Sequence, residues 1–176
     1  MYHVELLVRL KIPDVTALTA SNSLRRRMGY AKVLTKLKRA DYYLFEIEAA
    51  SDKAAVETVR EIAEKTSLFV NPNKHAFEVH EQGKAPAAKG EPGVFEVSVL
   101  VRDVEGDKGP GLCEALGKLG YGGNVKAVQA QTMWEMRIRA EDAEAAKKVA
   151  EEIAVTHSRG QGLLVNPHYQ QYSVNL

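Results

Sequence analysis

The sequence predicts an α+β protein built twice from one plait, each copy running strand, helix, strand, strand, helix, strand. The first observation behind this is an internal duplication. Leu68-Phe69-Val70-Asn71-Pro72, closing at Phe77 and Val79, returns as Leu163-Leu164-Val165-Asn166-Pro167, closing at Tyr172 and Val174. The second is that aligning outward from this phrase pairs the two halves throughout. Val4-Glu5-Leu6-Leu7-Val8-Arg9 falls on Val97-Ser98-Val99-Leu100-Val101-Arg102, and Gly29-Tyr30 falls on Gly120-Tyr121. The third is that hydrophobic periodicity switches between two and 3.6 in the same order in each half. At 176 residues the chain therefore holds two small domains of roughly 80 residues each. Units so small bury little surface alone, so the copies are expected to pack together as a pseudo-dimer.

The opening strand places Val4, Leu6, Val8 and Leu10 on one face, as Val97, Val99 and Val101 do in the copy. Leu7 and Leu100 break the alternation at equivalent positions, which predicts cover on the outer sheet face as well. A helix follows. Asp14 is its cap, Val15, Leu18, Leu24 and Met28 mark an apolar side, and Gly29 ends it. In the copy Pro110 stands in the first turn, Leu112, Ala115, Leu116 and Leu119 form the face, and Gly120 terminates. A short strand (33–37; 125–129), a polar turn and a second strand come next, with Tyr43, Phe45 and Ile47, or Trp134, Met136 and Ile138, facing inward. The second helices are the most regular: Ser51 caps a segment whose Ala55, Val56, Val59, Ile62 and Ala63 share a face, and Ala146, Val149, Ala150, Ile153 and Ala154 repeat it. The Asn-Pro phrase and a last strand close each copy. This order is that of a ferredoxin-like plait, βαββαβ.

Residues 1–79 form the first repeat and 94–176 the second. Between them 80–93 has no large apolar side chain and several Gly and Pro, which reads as a linker. A net charge of +1 gives no overall pull toward nucleic acid or membrane. Cys113, the one cysteine, lies among Leu112, Leu116 and Leu119 and reads as a small packed hydrophobe. The start of the chain shows no secretory pattern and no run long and apolar enough for a membrane helix, so a cytoplasmic location is expected.

These residues resemble the PurS family, the small subunit of phosphoribosylformylglycinamidine (FGAM) synthase in purine biosynthesis. The resemblance is carried by Leu163-Leu164-Val165-Asn166-Pro167, Tyr172-Ser173-Val174, Gly120-Tyr121 and Val125-Lys126-Ala127-Val128. In the first copy Gly29-Tyr30, Val33 and Phe69-Val70-Asn71-Pro72 carry it. It implies two PurS-like plaits, fused here as at the amino end of the large single-chain form of the synthase. It also implies a noncatalytic role bridging a PurQ-type glutaminase and a PurL-type, ATP-dependent synthetase for ammonia transfer. The Gly-Lys pair that the resemblance places in the central turn is absent, and Arg39-Ala40-Asp41 and Ala130-Gln131-Thr132 stand there instead. Extra residues near Arg159-Gly160-Gln161-Gly162 lengthen the loop before the last strand.

No residue set reads as catalytic, cofactor-binding or metal-binding. His3, His75, His80, His157 and His168 show no ligand spacing beside a carboxylate. Gly106-Asp107-Lys108-Gly109-Pro110-Gly111 lacks the order of a phosphate-cradling loop. The one pronounced charge feature is basic: Arg25, Arg26, Arg27, Lys36, Lys38 and Arg39, with Lys32 among them and no acidic residue between. These are the candidate residues for docking an acidic partner protein, and self-association of the fused pair is a further expectation. The alternative is a tandem small-molecule regulatory domain resembling ACT domains, with Gly120-Tyr121-Gly122-Gly123-Asn124 as its ligand turn. An RNA-binding plait comes third, because Asp41-Tyr42-Tyr43-Leu44-Phe45 is aromatic but lacks the Gly and basic residues of such strands.

Overall fold

A computed structural model of the chain describes residues 1–86 and 90–176. Its elements are β1 (Tyr2–Leu10), α1 (Val15–Asn22) with a π-helical extension (Ser23–Arg27), a 3-10 turn (Tyr30–Lys32), β2 (Leu34–Ile47), α2 (Asp52–Lys65) and β3 (His75–Glu81). The second half repeats them as β4 (Val94–Asp103), α3 (Gly109–Lys118), β5 (Val125–Arg139), α4 (Ala143–Ala154) and β6 (Gln170–Asn175). The protein is mixed α+β. β1 pairs antiparallel with β2 and β3, β4 pairs antiparallel with β5 and β6, and the hydrogen-bonded strand order is β3-β1-β2-β5-β4-β6. Each last strand thus stays with the first strand of its own copy.

The predicted central turns do not form. Leu34–Ile47 is one strand of 14 residues and Val125–Arg139 one of 15, running straight through Arg39-Ala40-Asp41 and Ala130-Gln131-Thr132. Neither triplet contains Gly, Pro or Asn, and Asp41 is the one residue of the six that commonly forms turns. An uninterrupted strand carries everything before it out of its own plait. The chain accordingly divides into two compact units, with cuts between Ala40 and Asp41 and between Gln131 and Thr132, in the two predicted turns.

The first unit comprises Met1–Ile12, Asp41–Pro86 and Gly106–Gln131. β1 lies between β3 and the second half of β2, with Val8 opposite Asp41 at the end of the register. The fourth strand is the first half of β5, reached through the Glu48 amide donating to the Asn124 carbonyl at 2.8 Å. Val4, Leu6, Val8, Phe45 and Ile47 on the sheet meet Ala55, Val59, Ile62 and Ala63 of α2, together with Leu116 of α3 and Val125 and Val128 of β5. Phe69, from the duplicated phrase, sets its ring edge-on to Tyr43 and Phe45, with centroids 4.9 and 5.3 Å apart. Cys113 is half-buried against the same core.

The second unit comprises Pro13–Ala40, the stretch holding β4 up to Glu105, and Thr132–Leu176. Its core joins Val97, Val99, Val101, Trp134, Met136 and Ile138 to Ala146, Ala150, Ile153 and Ala154 of α4. Ala17, Ala20, Leu24, Leu34 and Leu37 of the first repeat complete it. Each unit holds the four strands and two helices of a plait, one helix and one strand of which come from the other repeat. The exchanged segments are α1 with the start of β2, and α3 with the start of β5.

Local chemistry explains the elements. Asp14 Oδ1 accepts from the Thr16 and Ala17 amides, Ser51 caps α2 and Asp142 caps α4. Gly29 and Gly120 end the first helices of the two copies at φ of +83° and +96°, a left-handed geometry that a side chain resists. In the duplicated phrase, Asn71 Oδ1 accepts from the Asn73 amide and the Asn71 amide donates to His75 Nδ1. Asn166 repeats this with the His168 amide and Gln170 Oε1. The phrase is a strand-starting Asx turn.

Two expectations change. Val15 and Leu18 lie outside the core, because the buried side of α1 is Ala17, Ala20 and Leu24. Of the expected linker 80–93, His80 and Glu81 belong to β3, and residues 87–89 lie outside the described residues.

Gly109 sets how closely α3 approaches β5: a Cβ there would lie 2.0 Å from the Val128 carbonyl oxygen, whereas one at Gly111 meets nothing within 4 Å. Gly109→Ala should lower stability by about 1–3 kcal/mol. Gly111→Ala should raise it by a few tenths to about 1 kcal/mol. Denaturant midpoints moving in opposite directions for neighbouring helix positions would bear this out.

Candidate functional site

The six basic residues read from the sequence all fall in the second unit, but not on one surface. Arg25, Arg26 and Arg27 occupy the π-helical extension of α1 and are exposed, while Leu24 beside them is fully buried and anchors the segment. The Met28 amide donates to the Ser23 carbonyl at 3.1 Å, the wide i to i+5 turn that defines this segment. Lys36 and Lys38 flank the buried Leu37 in β2. Strand alternation therefore places them on the sheet face away from the helices. Arg39 is committed locally: its Nε donates to Asp14 Oδ2 at 2.9 Å, so one carboxylate both caps α1 and holds β2.

Charge compensation differs between the α1 to early β2 segment and its counterpart in the second copy. From Val15 to Ala40 there is no carboxylate, and Arg25, Arg26, Arg27, Lys36 and Lys38 have no ion pair within 4 Å among the described residues. In the second copy Lys118 meets Glu114 at 2.7 Å and Lys126 meets Glu48 at 2.8 Å. Helix C-termini favour cations, which accounts for one arginine at the end of α1. Three in succession add mutual repulsion that nothing local offsets.

The sequence reading missed the tyrosines that fasten the exchanged segments. The Tyr30 hydroxyl donates to Glu152 Oε1 of α4 at 3.2 Å, and the Tyr121 hydroxyl donates to Glu61 Oε1 of α2 at 3.3 Å. Each joins the Gly-Tyr helix end of one repeat to the second helix of the other. The paired recurrence of Gly-Tyr was the available signal, although it reads more simply as helix termination. The Gly120 to Asn124 turn weighed as a ligand turn is used structurally: it ends α3, places Tyr121, and lets Asn124 Nδ2 donate to the Glu48 carbonyl at 3.3 Å.

Residues 3–83 match the model of the PurS family, described as phosphoribosylformylglycinamidine (FGAM) synthase. The chain carries a PurS domain. The match takes in all six basic residues, and the later elements follow the same order of strand, helix, strand, helix, strand. No curated protein and no solved structure matches the chain. Over those residues the chain is similar to FGAM synthase components of the PurS family. None of its helices is long and apolar enough to cross a membrane, among the described residues.

Several tyrosine hydroxyls resist ionisation. Burial, then the Glu5 carboxylate that accepts from it at 2.9 Å, pushes Tyr42 far up, and burial with nearby Asp41 raises Tyr43 to about 12. Burial and their glutamate partners raise Tyr30 and Tyr121 as well. A group whose pKa is raised by folding contributes stability that is complete below its unfolded value, about 10 for tyrosine, and lost as pH rises through the folded value. The melting temperature should therefore hold to about pH 9.5 and fall steeply beyond it. A tyrosinate absorbance titration should show part of the signal appearing only with unfolding. Ionisation of every tyrosine near pH 10 in the folded protein would contradict the burial described.

Proposed function

We infer that this protein is the noncatalytic bridging subunit of FGAM synthase, holding a glutaminase subunit against the ATP-dependent synthetase subunit so that ammonia passes between them without escaping to water. The PurS match over residues 3–83 carries this reading. The uncompensated basic segment supports it, since exposed cations without local partners suit a docking role better than a fold-stabilising one. Arg25, Arg26 and Arg27 are the proposed contacts for an acidic partner surface. Lys36 and Lys38, standing on the sheet face, would meet a different part of the assembly, and Arg39 acts by fixing α1 through Asp14.

Reconstitution tests the role. Glutamine-dependent FGAM formation by the glutaminase and synthetase subunits should require this chain, together with a stable three-component complex. An unchanged rate and no complex would sink the reading. Within such a complex, Arg25→Glu, Arg26→Glu and Arg27→Glu together should weaken assembly by roughly tenfold or more at low salt, with the loss shrinking as ions screen the contact. Assembly unaltered at low salt would remove these residues from the interface.

A further inference from the structure

We propose that the outward ridge of α1 and its π-helical turn is a docking helix, which inserts Val15 and Leu18 into an apolar groove of a partner protein and presents Arg25 and Arg26 to carboxylates at one end of that groove. The inference rests on the assembly role above and names the chemistry of the contact.

The ridge follows from helix geometry. At 100° per residue, the buried Ala17, Ala20 and Leu24 define one side of the segment. Val15, Leu18, Thr19 and Asn22 lie on the opposite side, and all four are exposed, Val15 at 72% and Leu18 at 51%. Residues at i, i+3 and i+7 are the spacing with which a helix fills a groove. Arg25 and Arg26 continue the segment through the π turn, a feature that costs backbone regularity and recurs at functional sites.

The plait itself does not need such a ridge. In the copy, the exposed positions of α3 are Pro110, Gly111, Glu114, Gly117 and Lys118. Within the helix they include no large aliphatic side chain, Leu119 being exposed only at its C-terminal cap, and their one cation is paired with Glu114. The two helices perform the same packing task, so the apolar and basic outer face of α1 is surplus to folding. The chemistry also selects the class of partner. No aromatic side chain lies from Val15 to Arg27 to stack on bases. Two aliphatic side chains at the end remote from the arginines are too few for a helix lying in a lipid surface. A protein groove with an acidic end fits both features.

The test uses the full chain with the glutaminase and synthetase subunits, measuring assembly from about 50 to about 300 mM salt. Val15→Ser with Leu18→Ser should weaken assembly by roughly tenfold or more at every salt concentration, leaving its salt slope and the melting temperature of the free chain unchanged. Arg25→Glu with Arg26→Glu should weaken assembly and flatten the slope. Lys118→Glu on the copy helix should change neither. A Val15/Leu18 variant that assembles like the parent overturns the docking helix while leaving the bridging role intact. Equal losses from Lys118→Glu would show diffuse charge attraction and overturn it too. If the parent chain itself fails to assemble, the bridging role and the docking helix fall together.

Discussion

The continuity of β2 and β5 governs the composition of both units. In a plait closed within one repeat, the chain would reverse near Arg39-Ala40-Asp41, and α1 would cover the sheet formed by β1. An extended backbone at those residues sends α1 and the first half of β2 elsewhere, and the same event at Ala130-Gln131-Thr132 returns α3 and the first half of β5. The cores are completed by this trade: Leu24, Leu34 and Leu37 are fully or almost fully buried among residues of the second repeat, and Leu116, Val125 and Val128 among those of the first. Burial of each such side chain stabilises by about 1.5–3 kcal/mol, and a self-contained plait would gain a comparable amount. What differs is the hinge. A turn there would favour residues with left-handed or proline-fixed backbone geometry, and of the six residues offered only Asp41 tolerates the former. Ala40 and Tyr42 are also almost fully buried in the extended form.

How much of this was legible follows from where local rules suffice. Caps, terminators and the second helices are decided within a few residues, and Asp14, Ser51, Gly29 and Gly120 act as their types predict. The sheet faces of β1 and β4 are equally local. Two readings failed for a shared reason. In β2 the buried Leu34 and Leu37 are three apart, as are Val125 and Val128 in β5, so a strict period of two does not run from the first half of either strand into the second. An extra residue within a continuous strand gives the same spacing. In α1 apolar residues occupy both sides, and the small Ala17 and Ala20 were discounted beside Val15 and Leu18, although a close-packed interface selects the small ones. Where the resemblance places a Gly-Lys turn, Arg39-Ala40-Asp41 and Ala130-Gln131-Thr132 run on as strand.

The candidate surface was legible as composition but not as geometry. A run of cations shows in any sequence; its division between a helix end, a sheet face and an internal pair with Asp14 depends on where β2 goes. The duplicated Leu-x-x-Asn-Pro phrase had the opposite character. It announced the family most clearly, yet its asparagines cap turns that start the last strands, and Phe69 fills the core. The most recognisable residues here are therefore architectural.

The asymmetry between the copies is the feature that architecture leaves over. The two Gly-Tyr ends make matching contacts to Glu152 and Glu61, so the fold treats the repeats alike. Charge does not: Lys118 and Lys126 of the second copy sit at 2.7 and 2.8 Å from carboxylates, while Arg25, Arg26 and Arg27 of the first have no ion pair among the described residues. Surface pairs contribute little to stability, with a median near 0–1 kcal/mol, so folding is indifferent to this contrast. An encounter with another protein is sensitive to it. Unpaired exposed cations project a field over roughly a Debye length, about 8 Å at physiological ionic strength, and such fields act mainly on association rate and on choice of partner. The duplication thus supplies two nearly equal scaffolds that differ in the charge carried by α1 with the start of β2 and by its counterpart, α3 with the start of β5.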